Sequence, residues 1–405
     1  MTEPWKTENW FVSPYNYAEE VLKNSRAPKR VLIHDTTLRD GEQQPEIVFG
    51  KEDKIKIATL LDEVGVDRIE AGMPVVSKED KEALKELVKL GLNAQIFAFA
   101  RCLKRDVDLA LDVDVPGIVM ELPSSAHIIR YAYKWDLEKA IERAAEAVRY
   151  AKEHGLYVTF FTIDATRAEW DFFEKILKTV ERDMDSLTLA DTFGACSPFA
   201  VMELVKRVKE TVNVPVEIHG HNDFGMATAN SLAAIYAGAE VVHVTVNGIG
   251  ERTGNTPLEE FALALKLFTN IETNIKFDKL YDLSKAIENY TGIKMPPQKA
   301  VVGDNAFRVE SGIIAEWWYN VKDTAPLEMF PFRWSFVGRK EPEIILGKKS
   351  GNATIENKLK ELGITDYSDE IVMKILNDVK VRSLLKKGPL SEKEFVEIVR
   401  KYFSF

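Results

Sequence analysis

The sequence predicts an α/β fold: a (β/α)8 TIM barrel followed by a mainly helical C-terminal subdomain. Three observations point there. Apolar, β-branched runs alternate with amphipathic helical stretches through eight units over about 240 residues. Gly65, Gly91, Gly155 and Gly238 each fall between a helix and the following strand, as the αβ loops of a parallel sheet require. Chemistry-bearing residues stand at the C-terminal ends of six of the strands, where barrel active sites are built. A doubly wound open sheet is the rival arrangement.

The elements follow in order. Val31 to Asp35 is the first strand, and Lys51 to Val64 a helix with Ile55, Leu60, Leu61 and Val64 on one face. Val66 to Ala71 is the second strand. Ser77 caps the next helix, with Glu79 and Asp80 in its first turn. Ala94 to Ala100 and Gly117 to Leu122 are the third and fourth strands. A helix from Asp136 to His154 stops at Gly155, and Leu156 to Thr162 is the fifth strand. Ser186 to Ala190, Val214 to His219 and Val241 to Val246 complete the eight. Helices over 169–182, 198–211, 226–237 and 257–268 lie between and after them. The expected organisation is an N-terminal extension over 1–29, the barrel over 30–270, a linker or lid over 271–345 and a helical subdomain over 346–405.

Composition limits the function classes. Hydrophobic residues make up 45% and charged residues 29%, which is globular rather than disordered. A net charge of −10 argues against a nucleic-acid surface. Only Cys102 and Cys196 occur, so no disulfide framework is implied and a reducing compartment fits. No apolar run approaches the roughly 18 residues of a membrane span, and the N-terminus has no signal core. A cytoplasmic protein without membrane or nucleic-acid partners is expected.

The sharpest local signal is His219-Gly220-His221-Asn222-Asp223 at the end of the seventh strand. Side chains two apart on a strand leave the same face, so both imidazoles can converge on one point. Two converging imidazoles are half of a metal site. The first strand runs into His34-Asp35-Thr36-Thr37-Leu38-Arg39-Asp40-Gly41-Glu42-Gln43, and the eighth into Gly248-Ile249-Gly250-Glu251-Arg252-Thr253-Gly254-Asn255. Glu70 ends the second strand, Glu121-Leu122-Pro123-Ser124-Ser125 the fourth, and Asp191-Thr192 the sixth. Bland readings stand beside the chemical ones. Arg39 and Asp40 can form a salt bridge closing a loop, and Glu70 can pair with Arg39 to aim it. His34 reads as a wall residue, His243 as barrel core, and Cys196 as a small packing residue.

The blocks 34–43, 219–225 and 248–255 resemble the three signatures of the DRE-TIM metallolyase superfamily. They are most similar to its Claisen-condensing branch, the isopropylmalate, homocitrate and citramalate synthases. The resemblance implies that Asp40, His219 and His221 ligate a divalent metal (Mg, Mn or Zn), with Asn255 as a further ligand or as the support of a ligand water. It places Arg39 beside the metal and Thr192 at the 2-oxo acid, and Gln43 is a further substrate-contact candidate. It also supplies acetyl-CoA as co-substrate, since no separate CoA motif is visible. The implied chemistry is attack of the acetyl-CoA enolate on a 2-oxo acid ketone, which Arg39 and the metal polarise. A homodimer is implied as well.

Two departures bear on the base. Condensing relatives carry a catalytic His in a Ser-Gly-Ile-His segment, where this chain reads Ser311-Gly312-Ile313-Ile314. A Gly-Lys-His-Ser-Gly segment appears as Gly347-Lys348-Lys349-Ser350-Gly351. No histidine follows His243, so the candidate bases are Glu310 in trans, Asp164 and Glu121, with Glu70 a further catalytic candidate. A lyase similar to hydroxymethylglutaryl-CoA lyase or a ketoacid aldolase is the alternative enzyme, and a metal-binding protein without catalysis the non-enzymatic one. Beyond the barrel, 280–290 reads as an amphipathic helix, 301–310 as a lid-like connector and 351–405 as helical. Aromatics concentrate between Trp317 and Phe336. The long leucine-sensing domain of many isopropylmalate synthases is not seen, so feedback through one is not expected.

Overall fold

Eight short parallel strands close on themselves in sequence order, with the last pairing back onto the first. The computed structural model describes residues 3–23 and 25–404. The strands are β1 Leu32–Asp35, β2 Arg68–Glu70, β3 Gln95–Arg101, β4 Gly117–Pro123, β5 Tyr157–Ile163, β6 Ser186–Asp191, β7 Val216–Gly220 and β8 Val241–Val244. One long helix follows each: α1 Lys51–Val64, α2 Lys78–Lys89, α3 Lys104–Asp112, α4 Leu137–Glu153, α5 Trp170–Val180, α6 Pro198–Lys209, α7 Ala227–Ala237 and α8 Leu258–Phe268. The predicted barrel is therefore observed, and the open-sheet rival is excluded by the β1–β8 pairing.

Boundary differences have local causes. β7 begins at Val216 rather than Val214, because Pro215 has no N–H to give a ladder and only its carbonyl accepts, from Leu187. β8 stops at Val244 rather than Val246, because Val246–Gly248 winds into a 3-10 turn in which Asn247 takes a φ of 62°. β2 keeps only Arg68–Glu70 of the span 66–71. Ser77 caps α2 as expected, its hydroxyl accepting from the Asp80 amide. Gly65 (φ 96°) and Gly238 (φ 112°) adopt the left-handed conformation that ends α1 and α7 and frees the chain to re-enter the sheet.

The main apolar core lies between strands and helices, where Ile57, Leu61, Leu84, Leu87, Ile176 and Leu177 are fully buried. Inside the barrel the packing is different. Barrel interiors are usually layered with branched aliphatics. Here Phe97, Phe99, Val119 and Phe161 share that space with buried Arg68, Glu217, His34 and His243. Each charge has a partner: Arg68 donates to Glu217 at 2.8 Å, and His243 Nε2 lies 2.7 Å from the other Glu217 oxygen. His34 stacks on His243 with ring centroids 4.2 Å apart, which places both as interior wall residues.

The chain divides into two compact units. Pro14–Met295 is the barrel unit and includes a ninth helix, α9 Leu280–Thr291. The other unit joins residues up to Ser13 with those from Pro296 onward. It holds two short parallel strands, Arg308–Val309 and Glu343–Ile344, and four longer helices: α10 Gly312–Val321, α11 Asn352–Glu361, α12 Asp369–Lys386 and α13 Glu392–Val399. Ile355, Leu359, Ile375, Val379 and Phe395 form its core. Trp318 packs on Phe330 and Trp334, with centroids 5.6 Å apart in each pair, so these three aromatics are core, while Trp317 is 44% exposed. No helix among the described residues is long and apolar enough to cross a membrane.

Candidate active site

The polar groups at the strand ends converge on the C-terminal mouth of the barrel. The chain leaves β1 through a tight turn that Asp35 organises, its carboxylate accepting from the Thr37 amide and hydroxyl. Burial pushes the Asp35 carboxyl up to about 7. The turn delivers Asp40 to His219 on β7 and His221 just after its end. His219 Nε2 lies 3.2 Å and His221 Nε2 3.8 Å from Asp40 Oδ2, and the two nitrogens are 3.4 Å apart. All three side chains are buried. Asn255, bridged to His221 through backbone pairing, donates Nδ2–H to Asp40 Oδ1 at 3.0 Å, while its own Oδ1 is buried with no protein partner.

This donor set fits a divalent cation. Burial lowers the His219 imidazole below its usual range and takes His221 down to about 4, so both rings are neutral near pH 7 and offer lone pairs. Burial alone would raise the Asp40 carboxyl, but Arg39 and His219 reverse that and hold it well below the carboxylate range. One anion and two neutral nitrogens within 4.8 Å of one another suit Mg, Mn or Zn. His34, Glu70 and His243 also fall within that distance of one another. That second group is a polar network rather than an ion cage. Its imidazoles are stacked with planes 12° apart, so their in-plane lone pairs run side by side, and His243 Nε2 is engaged by Glu217.

Arg39 stands beside the cation position and is held on several sides. Its Nε donates to Glu70, and its Nη1 donates to Asp40 at 3.0 Å and Gln43 at 3.1 Å. Its guanidinium lies over the Phe99 ring, 4.1 Å from the centroid. Nη2 alone is buried and without a hydrogen-bond partner. Glu70 is fully buried. Burial would raise its carboxyl, but Arg39 and then His34 hold it at about 2, so it is a fixed anion that aims Arg39. Glu121, at the end of β4, lines the same cavity as Arg39 and Gln43. Burial outweighs the nearby arginines and raises it to about 7. Ser125 Oγ, just past the end of β4, is buried without a hydrogen-bond partner.

Other candidates are placed elsewhere or tied down. The Thr192 hydroxyl accepts from the Asp164 amide at 2.9 Å, and its carbonyl accepts from Arg252 at 2.6 Å. Asp164 is ion-paired with Arg167, lies 3.2 Å from His127 Nε2 and takes a left-handed φ of 61°. Glu310 lies in the other compact unit, where Lys349 Nζ sits 2.8 Å from one carboxylate oxygen and the Lys349 amide donates to the other at 3.1 Å. Ile314 is partly exposed. Cys196 is half-buried, with its thiol pushed up to about 11 by burial, which suits a packing role.

Sequence reading missed Lys54. It is almost completely buried, ion-paired with Asp80 and with Glu42 at 2.7 Å, and donates to the Leu38 carbonyl at 3.3 Å just before Arg39. A signal was present: Lys54 lies on the same helical stripe as Ile57, Ala58 and Leu61. A lysine inside an apolar stripe asks for a buried partner.

Comparison with known proteins bears directly on this geometry. Residues 30–287 match the HMGL-like family model. The chain belongs to that family. A homocitrate synthase of Methanopyrus kandleri is 42% identical over 386 residues, spanning 95% of each chain. A 2-isopropylmalate synthase of Methanocaldococcus jannaschii is 45% identical over 88% of this chain and 70% of its own. An (R)-citramalate synthase of the same organism is 44% identical over 91% of this chain and 74% of its own. Among solved structures, a Bacillus subtilis HMG-CoA lyase superimposes with a TM-score of 0.61 at 21% identity, covering 67% of this chain and 96% of the lyase. That likeness concerns the fold. This HMGL-like chain is thus an enzyme of the condensing synthase group, whose individual 2-oxo acids differ.

Proposed function

We propose that this protein is a metal-dependent acyltransferase that joins the methyl carbon of acetyl-CoA to the ketone carbon of a 2-oxo acid. One observation carries the reading: Asp40, His219 and His221 converge beside an Arg39 whose Nη2 has no protein partner, in a chain whose relatives are synthases. A divalent cation held by those three side chains supplies Lewis acidity toward the ketone and carboxylate oxygens of the 2-oxo acid.

The chain's own residues then divide the work. Arg39 donates Nη2–H to the oxygen on which negative charge develops, and Glu70 and Gln43 keep the guanidinium from turning away. Asn255 holds Asp40 in place through Nδ2 and leaves Oδ1 for a further ligand water. Thr192 stands at the β6 end for the substrate carboxylate. Glu121 takes a proton from the acetyl methyl group, the resulting carbanion equivalent attacks the ketone carbon, and the π electrons move to oxygen, which is then protonated. Water cleaves the thioester, releasing CoA thiol and a second carboxylate. A carboxyl poised near 7 suits the transfer. Glu310 is the second candidate base. In this reading a homodimer brings it across, at the cost of releasing it from Lys349.

The decisive experiment follows free thiol on mixing acetyl-CoA with pyruvate, 2-oxoisovalerate, 2-oxoglutarate or oxaloacetate, with and without a chelator. Metal-dependent release with at least one acid is expected. The absence of histidine at 314 and 349 favours one second reading, carbon–carbon cleavage at the same centre. No thiol release with any acid, together with cleavage of a 3-hydroxyacyl-CoA, would establish that reading instead.

A further inference from the structure

The condensing relatives carry different synthase names, and the walls of the cavity beside Arg39 bear on which 2-oxo acid suits this chain. At the barrel mouth Leu38, Ile47, Val48, Met73, Val76 and Phe99 line a space of about 420 Å³. Val48 is 83% and Val76 67% exposed, so two large apolar groups stand uncovered at the rim of a polar site. An alkyl tail would cover them.

The charges in the same wall are unbalanced against an anion. Arg39 is the one cation among the described lining residues, and its other donors are spent on Glu70, Asp40 and Gln43. Its unpartnered Nη2 serves the oxygens that every 2-oxo acid carries at its reacting end. Glu42, Asp80 and Glu121 are the other ionisable lining groups. Lys54 lies behind them, with its ammonium already occupied by Glu42, Asp80 and the Leu38 carbonyl. A second substrate carboxylate entering here loses water and finds three carboxyl groups and no uncommitted cation. An alkyl group entering here gains apolar contact.

We infer that the 2-oxo acid is monocarboxylic with an aliphatic side chain, received between Met73, Val76, Val48 and Ile47. The inference rests on the proposed condensation for its second substrate, but binding can be read without that step. Protein loaded with Mn²⁺ is titrated calorimetrically with 2-oxobutyrate, 2-oxoisovalerate, 2-oxoglutarate and oxaloacetate, with no acetyl-CoA present. The aliphatic acids are expected to bind about tenfold or more tightly than the dicarboxylates. Equal or tighter binding of a dicarboxylate overturns the inference, as does binding of none of the four.

Val76→Lys places a cation at the exposed rim, where folding is least disturbed, and is expected to shift the ratio roughly tenfold toward 2-oxoglutarate. A ratio unmoved by this charge overturns the cavity as the seat of the tail. Thiol release with the same acids separates the two claims. Aliphatic-selective binding without thiol release overturns condensation and leaves the specificity standing. Release fastest with a dicarboxylate leaves condensation standing and overturns the specificity.

Discussion

A single carboxylate connects the two halves of the site. Asp40 touches Arg39, His219 and Asn255, so its loss removes an anion from the cation position and a partner from the arginine. Asp40→Asn and His219→Ala are each expected to abolish bound metal, measured by elemental analysis, and to abolish thiol release. Retained turnover in either variant would remove the site assignment. Glu121 belongs to the same scale. Its carboxylate form is the base, and the group is raised to about 7, so kcat/KM should climb as pH rises through that value. Glu121→Gln is expected to flatten the climb and lower kcat by about 10²–10⁴-fold. Linkage runs the other way for stability. A carboxyl raised from 4.5 to about 7 favours the fold when protonated, and that contribution fades as pH climbs between those values. The Gln variant should therefore melt no lower than the parent above pH 7, which separates a lost base from a lost fold. Glu310→Gln with unchanged kcat would dismiss the second candidate, and a drop like that of Glu121→Gln would promote it.

The loop after β8 shows how an element holds a residue in place. Asn247 donates its backbone N–H to the Glu259 carboxylate and binds Ser284 of α9 through its side chain. Gly254 takes a φ of 85°, and a β-carbon there would run into the Gly248 carbonyl oxygen. Gly254→Ala is expected to cost about 1–3 kcal/mol of stability, from the strained backbone. Because Asn255 is the next residue, the same change should weaken metal binding more than a comparable destabilisation elsewhere, by calorimetric titration beside a melting curve. An unchanged affinity would show that the loop does not position Asn255. The strands tell a similar story of context. Pro215 shortens β7, and Asn247 bends the chain away after β8, both through local backbone chemistry that an apolar run does not reveal.

At the scale of the molecule, the barrel unit gathers Asp40, His219 and His221 into one buried donor set. Adding Mn²⁺ to metal-stripped protein is expected to raise its melting temperature. The gain should correspond to about 2.7 kcal/mol when the free ion is a hundredfold above its dissociation constant. Asp40→Asn should lose that gain, and an equal rise in that variant would place the ion elsewhere. The second compact unit has its own core around Ile355, Ile375 and Phe395, so its helices are explained by burial independent of the site chemistry.

Periodicity and punctuation alone specified the barrel, because eight strand–helix units with glycines at their joints have few other ways to bury their apolar faces. The spacing of His219 and His221 likewise declared their convergence, since residues two apart on a strand must share a face. Most buried charge pairing was a tertiary outcome. The Glu70–Arg39 pair was anticipated, but Lys54 with Asp80 and Glu217 with both Arg68 and His243 join residues far apart in the chain, and no local pattern encodes which buried charge meets which. The same holds for the three candidate bases. Burial separated them, raising Glu121 toward neutrality while ion pairs claimed Asp164 and Glu310, because a carboxyl's proton affinity depends on its surroundings and not on its neighbours in sequence.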